Sequence, residues 1–102
     1  MIPRVLIVDD DPLIRELLHA YLSQEGYEVH CAATAELADT FLASQTVDLV
    51  MLDIRLPGKD GLTLTRELRV RSEVGIILIT GRNDEIDRIV GLECGADDYV
   101  IK

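Results

Sequence analysis

Short unbroken apolar runs alternate with longer segments of helical period along this chain, and Gly, Pro and Asp punctuate the boundaries. Val5 to Val8 is an uninterrupted apolar run closed by acids, the pattern of a strand covered on both faces. Asp11 with Pro12 behind it reads as an N-cap and first helical position. Ile14, Leu17, Leu18, Tyr21 and Leu22 then repeat with helical spacing until Gly26 stops the helix. Tyr27 to Ala32 alternates as a second strand, and Thr34 caps a helix whose apolar stripe is Ala38, Phe41 and Leu42. Leu49 to Leu52 is a third buried run ending in Asp53. The loop from Leu56 through Pro57, Gly58, Lys59 and Asp60 to Gly61 leads into a helix with Leu64 and Leu68 on one face. Ile76 to Ile79 is the fourth run, ending in Thr80 and Gly81. A helix from about Asp84 follows, with Ile86, Ile89 and Val90 inward and Gly95 as its stop, and Tyr99 to Ile101 begins a fifth strand before Lys102.

Strands joined by helices of about ten residues imply right-handed crossovers and hence a parallel sheet. The expected fold is a doubly wound α/β domain spanning residues 1–102, with five parallel strands and helices on both faces. A two-sided sheet of this kind ordinarily carries a helix after its last strand. None follows Lys102, so the domain reads as cut short, with apolar sheet surface exposed and with marginal stability or oligomerisation as the consequence.

In open α/β sheets the ligand site lies beyond the carboxyl ends of the strands. Those ends supply Asp9 and Asp10 from the first strand, Asp53 from the third, Thr80 from the fourth and Lys102 from the fifth. The second offers only Cys31, Ala32 and Ala33. Three carboxylates in one crevice repel, so they share protons or bind a cation, and hard oxygen donors favour Mg²⁺. A carboxylate nucleophile, a metal, an ammonium and a hydroxyl together suit phosphoryl transfer with an aspartyl phosphate as product. Capping accounts for Asp11, Asp60 and Asp84, whereas the adjacent pair Asp9 and Asp10 exceeds what a cap needs. His19 and His30 read as structural, and Arg66, Arg69 and Arg71 as a solvated helix face.

Charge narrows the field of partners. Ten basic against 19 acidic residues among 102 give a net charge of −9, which disfavours direct contact with nucleic acid or an anionic membrane surface. Every apolar run is too short for a membrane span or a signal sequence. Cys31 and Cys94 show no metal-ligand spacing and are expected to be buried thiols in a reducing, cytoplasmic compartment.

The residues Val8-Asp9-Asp10, Leu52-Asp53-Ile54-Arg55-Leu56-Pro57, Ile79-Thr80-Gly81, Gly95-Ala96-Asp97-Asp98-Tyr99 and Lys102 resemble, in order and across the whole chain, the receiver domains of two-component response regulators. The resemblance implies the flavodoxin-like strand order 2-1-3-4-5 and phosphorylation of Asp53 by a sensor histidine kinase. It implies Mg²⁺ bound by Asp10, Asp53 and the backbone carbonyl of Arg55, with Asp9 acting through water. Lys102 would pair with the phosphoryl group, Thr80 would turn its hydroxyl toward it, and Tyr99 would turn inward, a phosphorylation-dependent switch rather than a turnover enzyme. The stretch from Asp87 to Tyr99 resembles the OmpR-type subclass, which implies a homodimer through the fourth helix and fifth strand. Arg88, Asp97 and Asp98 would stand at its salt-bridge positions, and Ile89 and Leu92 in its apolar patch. Further implications are control of transcription through a DNA-binding domain outside this chain, and tuning of phosphoryl lifetime by Arg55 and Arg82. A haloacid-dehalogenase-like phosphatase is the alternative enzyme reading, from the D-x-D of Asp9 to Asp11, but Pro12 and a helix follow at once and leave no room for its flap. A fold-only binding module ranks below both, because all the chemical positions are occupied. Nucleotide binding ranks lowest, since no Gly-rich phosphate loop follows a strand.

Overall fold

The computed structural model describes residues 1–81 and 85–102, with the backbone alone for residues 85–88. Nine elements follow in strict alternation: β1 Arg4–Val8, α1 Pro12–Gln24, β2 Glu28–Ala32, α2 Ala35–Ser44, β3 Leu49–Asp53, α3 Gly61–Arg71, β4 Gly75–Thr80, α4 Glu85–Glu93 and β5 Asp98–Ile101. The strands form one parallel sheet in the order β2-β1-β3-β4-β5. Its register sets Val8 beside Leu52, and Asp53 beside Ile79. The carboxyl ends of the four strands that carry candidate chemistry therefore stand side by side.

Local signals act where the sequence puts them. Asp11 Oδ1 accepts from Leu13 N–H at 2.9 Å, Thr34 Oγ1 from Leu37 N–H at 3.0 Å and Asp60 Oδ1 from Thr63 N–H at 2.7 Å, each satisfying an orphan donor of a first helical turn. Gly26 and Gly95 end α1 and α4 at φ of +96° and +115°, conformations that a side chain would strain. The cap expected at Asp84 and the inward placement of Ile86 lie outside the described residues.

The core is lopsided. Leu6, Val8, Val50, Leu52, Ile76 and Leu78 pack with Ala35, Ala38, Leu64 and Leu68 on the face covered by α2 and α3. α4 lies close on the same face, since a Cβ on Gly91 would meet Leu78 Cδ1 at 2.2 Å. On the other face α1 buries no residue fully. Its apolar stripe is only half used: Leu17 and Tyr21 are 58% and 61% exposed, because Leu17 borders an open groove with Met51, Ile79, Val100 and Ile101 rather than a packed layer. The cysteines also differ from expectation. Cys31 is exposed and Cys94 half-buried, the former because β2 is an edge strand with neighbours on one side only. No helix among the described residues is long and apolar enough to cross a membrane.

Candidate functional site

Three carboxylates meet at the carboxyl edge of the sheet. Asp9, Asp10 and Asp53 each place an oxygen so that the three atoms lie within 4.8 Å of one another. Asp9 is fully buried and Asp53 nearly so, while Asp10 is exposed at the mouth. Tight turns after the strands hold the two buried acids. Asp9 Oδ1 accepts from Asp11 N–H at 2.9 Å, and Asp53 Oδ1 accepts from Arg55 N–H at 3.1 Å. The carbonyl of Asp9 in turn accepts from Arg15 Nη1 at 2.8 Å, which ties the β1 turn to α1.

The fifth strand delivers the cation. Lys102 N–H donates to Thr80 O at 2.8 Å, continuing the β4–β5 ladder one residue beyond the strand. Its Nζ lies 3.0 Å from Asp53 Oδ2 and 3.4 Å from Asp9 Oδ2. Burial works against the charge of this ammonium, but the hydrogen bond to Asp53 and the charges of Asp53 and Asp9 outweigh it, so its pKa stands above the ordinary 10.5. Asp9 shows the opposite balance. Burial raises its pKa and the Asp53 charge adds to this, against the Asp11 amide and Lys102, leaving it above the ordinary 3.8.

Two buried polar atoms make no hydrogen bond among the described residues: Asp9 Oδ2 and Thr80 Oγ1. Such atoms are costly unless something else completes them. With one ammonium against three carboxylates, a buried Asp9 oxygen held only by the 3.4 Å ion pair to Lys102 and an all-oxygen donor set, these residues fit a hard divalent cation. Thr80, buried at the end of β4 with a hydroxyl that has no bond to break, suits a group arriving beside Asp53. Gly61 is required for this geometry, since a Cβ there would stand 2.1 Å from the carbonyl of Asp53. An open depression of about 530 Å³ flanks Asp10, lined by Ile54, Arg55, Leu56, Pro57 and Asp60, and gives access from solvent.

The structure thus brings together Asp9, Asp10, Asp53, Thr80 and Lys102, with Arg55 at the rim. Tyr99 lies one residue before Val100 on β5, half-buried against the core. Ile89 and Leu92 are exposed on α4, at 56% and 39%, so Ile89 does not lie on the inward side that its helical spacing suggested. The side chain of Arg88 and the whole of Arg82 lie outside the described residues. Asp98 is exposed, and its Oδ1 accepts from Tyr99 N–H at 2.8 Å. Asp97 is engaged within the chain, its Oδ2 accepting from Ile76 N–H at 2.8 Å and Arg69 Nη2 at 3.0 Å. Arg69 corrects the reading of a solvated basic face. It also donates to Gly95 O and Val74 O, each at 2.8 Å, because its long side chain spans from α3 to the turn before β5. Nothing in its helical spacing distinguishes it from Arg66, so periodicity could not single it out.

Comparison with known proteins agrees with this fold. Residues 5–102 match the response regulator receiver domain family. The transcriptional regulatory protein AruR of Pseudomonas aeruginosa is 78% identical over 107 residues, covering all of this chain and 44% of that protein. The TorCAD operon transcriptional regulatory protein TorR of Escherichia coli K12 is 55% identical over 98 residues, covering 96% of this chain and 43% of that protein. This chain spans less than half the length of those curated relatives. The crystal structure of the TorR receiver domain superposes with a TM-score of 0.93 at 54% identity, covering 98% of this chain and 83% of that one. The response regulator TrrA of Thermotoga maritima, solved in complex with Mg²⁺ and BeF, superposes at 0.88 with 41% identity, covering 99% and 87%. With its 2-1-3-4-5 sheet and its acidic edge, the chain belongs to the receiver domain family of two-component response regulators.

Proposed function

We propose that Asp53 is the phosphoacceptor of this receiver and that a sensor histidine kinase is its donor. The observation that carries this is the placement of Asp53: nearly buried, with Oδ2 3.0 Å from Lys102 Nζ and with Asp9 and Asp10 within cation-binding reach. An Asp53 carboxylate oxygen attacks phosphorus, the bond from phosphorus to the donor imidazole breaks, and the imidazole leaves with the electron pair. Asp10, Asp53 and the carbonyl of Arg55 would hold Mg²⁺, with Asp9 ordering water, and the ion supplies neutralisation of phosphoryl charge when bound. Lys102 stays close enough to pair with the new phosphoryl oxygens.

The switch follows from the unsatisfied hydroxyl. Thr80 Oγ1 gains a partner when a phosphoryl group stands on Asp53, and the space it leaves accommodates Tyr99 from the adjoining strand. That rearrangement alters the α4–β5 face, where Ile89 and Leu92 are exposed and Arg88, Asp97 and Asp98 supply the charges of a homodimer contact. Asp97 keeps its bond to Ile76 N–H while exchanging or sharing Arg69. The output is transcriptional control in the cytoplasm through a DNA-binding domain beyond this segment, and the chain acts once per phosphorylation rather than turning over substrate. Residues 1–102 lie within one receiver unit, which leaves an open apolar groove between α1 and β5.

Intact mass after incubation with Mg²⁺ and a small acyl phosphate tests the reading. A gain of one phosphoryl group is expected, absent for Asp53→Ala and absent without Mg²⁺. A folded wild-type chain that stays unmodified, or an Asp53→Ala chain that is modified equally, overturns it.

A further inference from the structure

The loop between β3 and α3 has its far limb held by a charged clasp that the phosphorylation site itself does not include. At its near end Gly61 N–H donates to Ile54 O at 2.9 Å and Ile54 N–H donates to Ile79 O at 3.2 Å. Ile54 and Leu56 are buried on either side of Arg55. At its far end Lys59 reaches across two helices. Its Nζ donates to Asp39 Oδ2 on α2, and at 2.6 Å to Glu67 Oε1 on α3. Its backbone N–H donates to Glu36 Oε2 at 3.2 Å. The same Glu36 oxygen stands 3.2 Å from where a Cβ on Gly58 would lie, and Gly58 adopts φ +72°, so the turn is seated directly against α2. Arg71 adds a second cation on Asp39 at 3.1 Å.

We propose that Lys59 is a positioning residue: by clamping α2 and α3 to the β3–α3 loop it fixes the backbone carbonyl of Arg55, and so sets the affinity of the acidic site for Mg²⁺. The inference rests on the reading of Asp10, Asp53 and Arg55 as the cation-binding set. Pro57 is the mechanical link, since its fixed φ leaves little slack between the buried Leu56 and the clasp. The Lys59 side chain is only 22% exposed, which sets this bridge apart from a solvated surface pair. Asp39 is partly desolvated, yet its bonds to Lys59 and Arg71 hold its carboxyl below the ordinary range. Groups that orient metal ligands from outside the coordination shell change affinity by roughly 10- to 100-fold when removed.

Calorimetric Mg²⁺ titration of the 102-residue chain, paired with acyl-phosphate labelling at increasing Mg²⁺, tests this. Lys59→Met is expected to raise both the Mg²⁺ Kd and the half-saturating Mg²⁺ concentration by roughly tenfold. The labelling rate at saturating Mg²⁺ should stay within about twofold, because Asp53, Lys102 and Thr80 are untouched. Lys59→Arg should recover most of the loss. Arg4→Met, which removes a clasp at the opposite edge of the sheet, should lower thermal stability without moving the Mg²⁺ Kd. If Lys59→Met does not fold, Glu67→Gln carries the same expectation at smaller size. Unchanged Mg²⁺ affinity in Lys59→Met, or an equal loss in Arg4→Met, overturns the positioning role. A wild-type chain that binds no Mg²⁺ overturns the reading of the site, and this inference with it.

Discussion

The two edges of the sheet treat polar groups in opposite ways. At the amino edge the charges shown here are paired. Arg4 N–H donates to Asp48 Oδ2 and Asp48 N–H to Arg4 O, both at 2.8 Å, and the Arg4 guanidinium reaches Glu28 and Thr46 O at 2.6 Å. Asp97 and Arg69 close the same edge farther along. At the carboxyl edge three carboxylates face one ammonium, and two buried oxygens have no hydrogen-bond partner among the described residues. One edge is finished by the chain's own polar groups; the other leaves an excess of carboxylates, the feature on which the proposed cation and phosphoryl sites rest. Binding free energy is stored in what the fold leaves unsatisfied.

The largest effect expected from this contrast is stabilisation by Mg²⁺. At a concentration about 100 times its Kd the ion should add about 2.7 kcal/mol to the unfolding free energy. Urea denaturation with and without Mg²⁺ measures it, and Asp53→Ala should lose most of the gain. Equal midpoints for wild type with and without the ion would break the comparison. Next in size is Asp97→Ala at the finished edge, which removes the acceptor of Ile76 N–H and of Arg69 Nη2 and should cost about 1–2 kcal/mol. Its Mg²⁺ affinity should match wild type, and a weakened affinity would show that the edges are coupled.

Asp9→Asn sharpens the comparison from the other side. A pKa raised by burial means that the folded chain binds a proton at Asp9 more tightly than the unfolded chain. The associated stability is fully present below the ordinary 3.8 and is lost as pH rises through the folded-state value. Without Mg²⁺, Asp9→Asn should therefore be more stable than wild type at neutral pH, by on the order of 1 kcal/mol. It should also lack the decline between acidic and neutral pH, and an unchanged pH profile would sink the assignment of that decline to Asp9. The smallest effect belongs to Arg4→Met, whose melting temperature should fall by no more than about 4 °C because its partners are solvent-exposed.

Much of this molecule is legible in one sequence. Buried runs, caps at Asp11, Thr34 and Asp60, and glycine stops at Gly26 and Gly95 are local features, and each acts within a turn of where it stands. The acids and the lysine at the strand ends are legible for the same reason, because parallel strands all point their carboxyl ends one way. The apolar stripe of α1 is equally clear in the sequence and still overstated burial, since Leu17 and Tyr21 stay exposed. Periodicity reports which side of a helix is apolar, not whether something lies opposite it.

Element types and the acids gathered at the carboxyl edge were thus legible in the sequence alone, because short-range sterics, hydrogen bonding and the common direction of parallel strands decide them. Only the tertiary structure decided that Lys59 bridges α2 and α3, that Arg69 and Asp97 close the turn before β5, and that Cys31 lies on an open edge. It also decided which buried polar atoms make no hydrogen bond among the described residues. Those outcomes depend on contacts between residues such as Lys59 and Asp39, or Arg69 and Asp97, that lie 20 and 28 positions apart. Long flexible side chains carry no local signature of where they end, so their partners are settled only when the sheet brings the elements together.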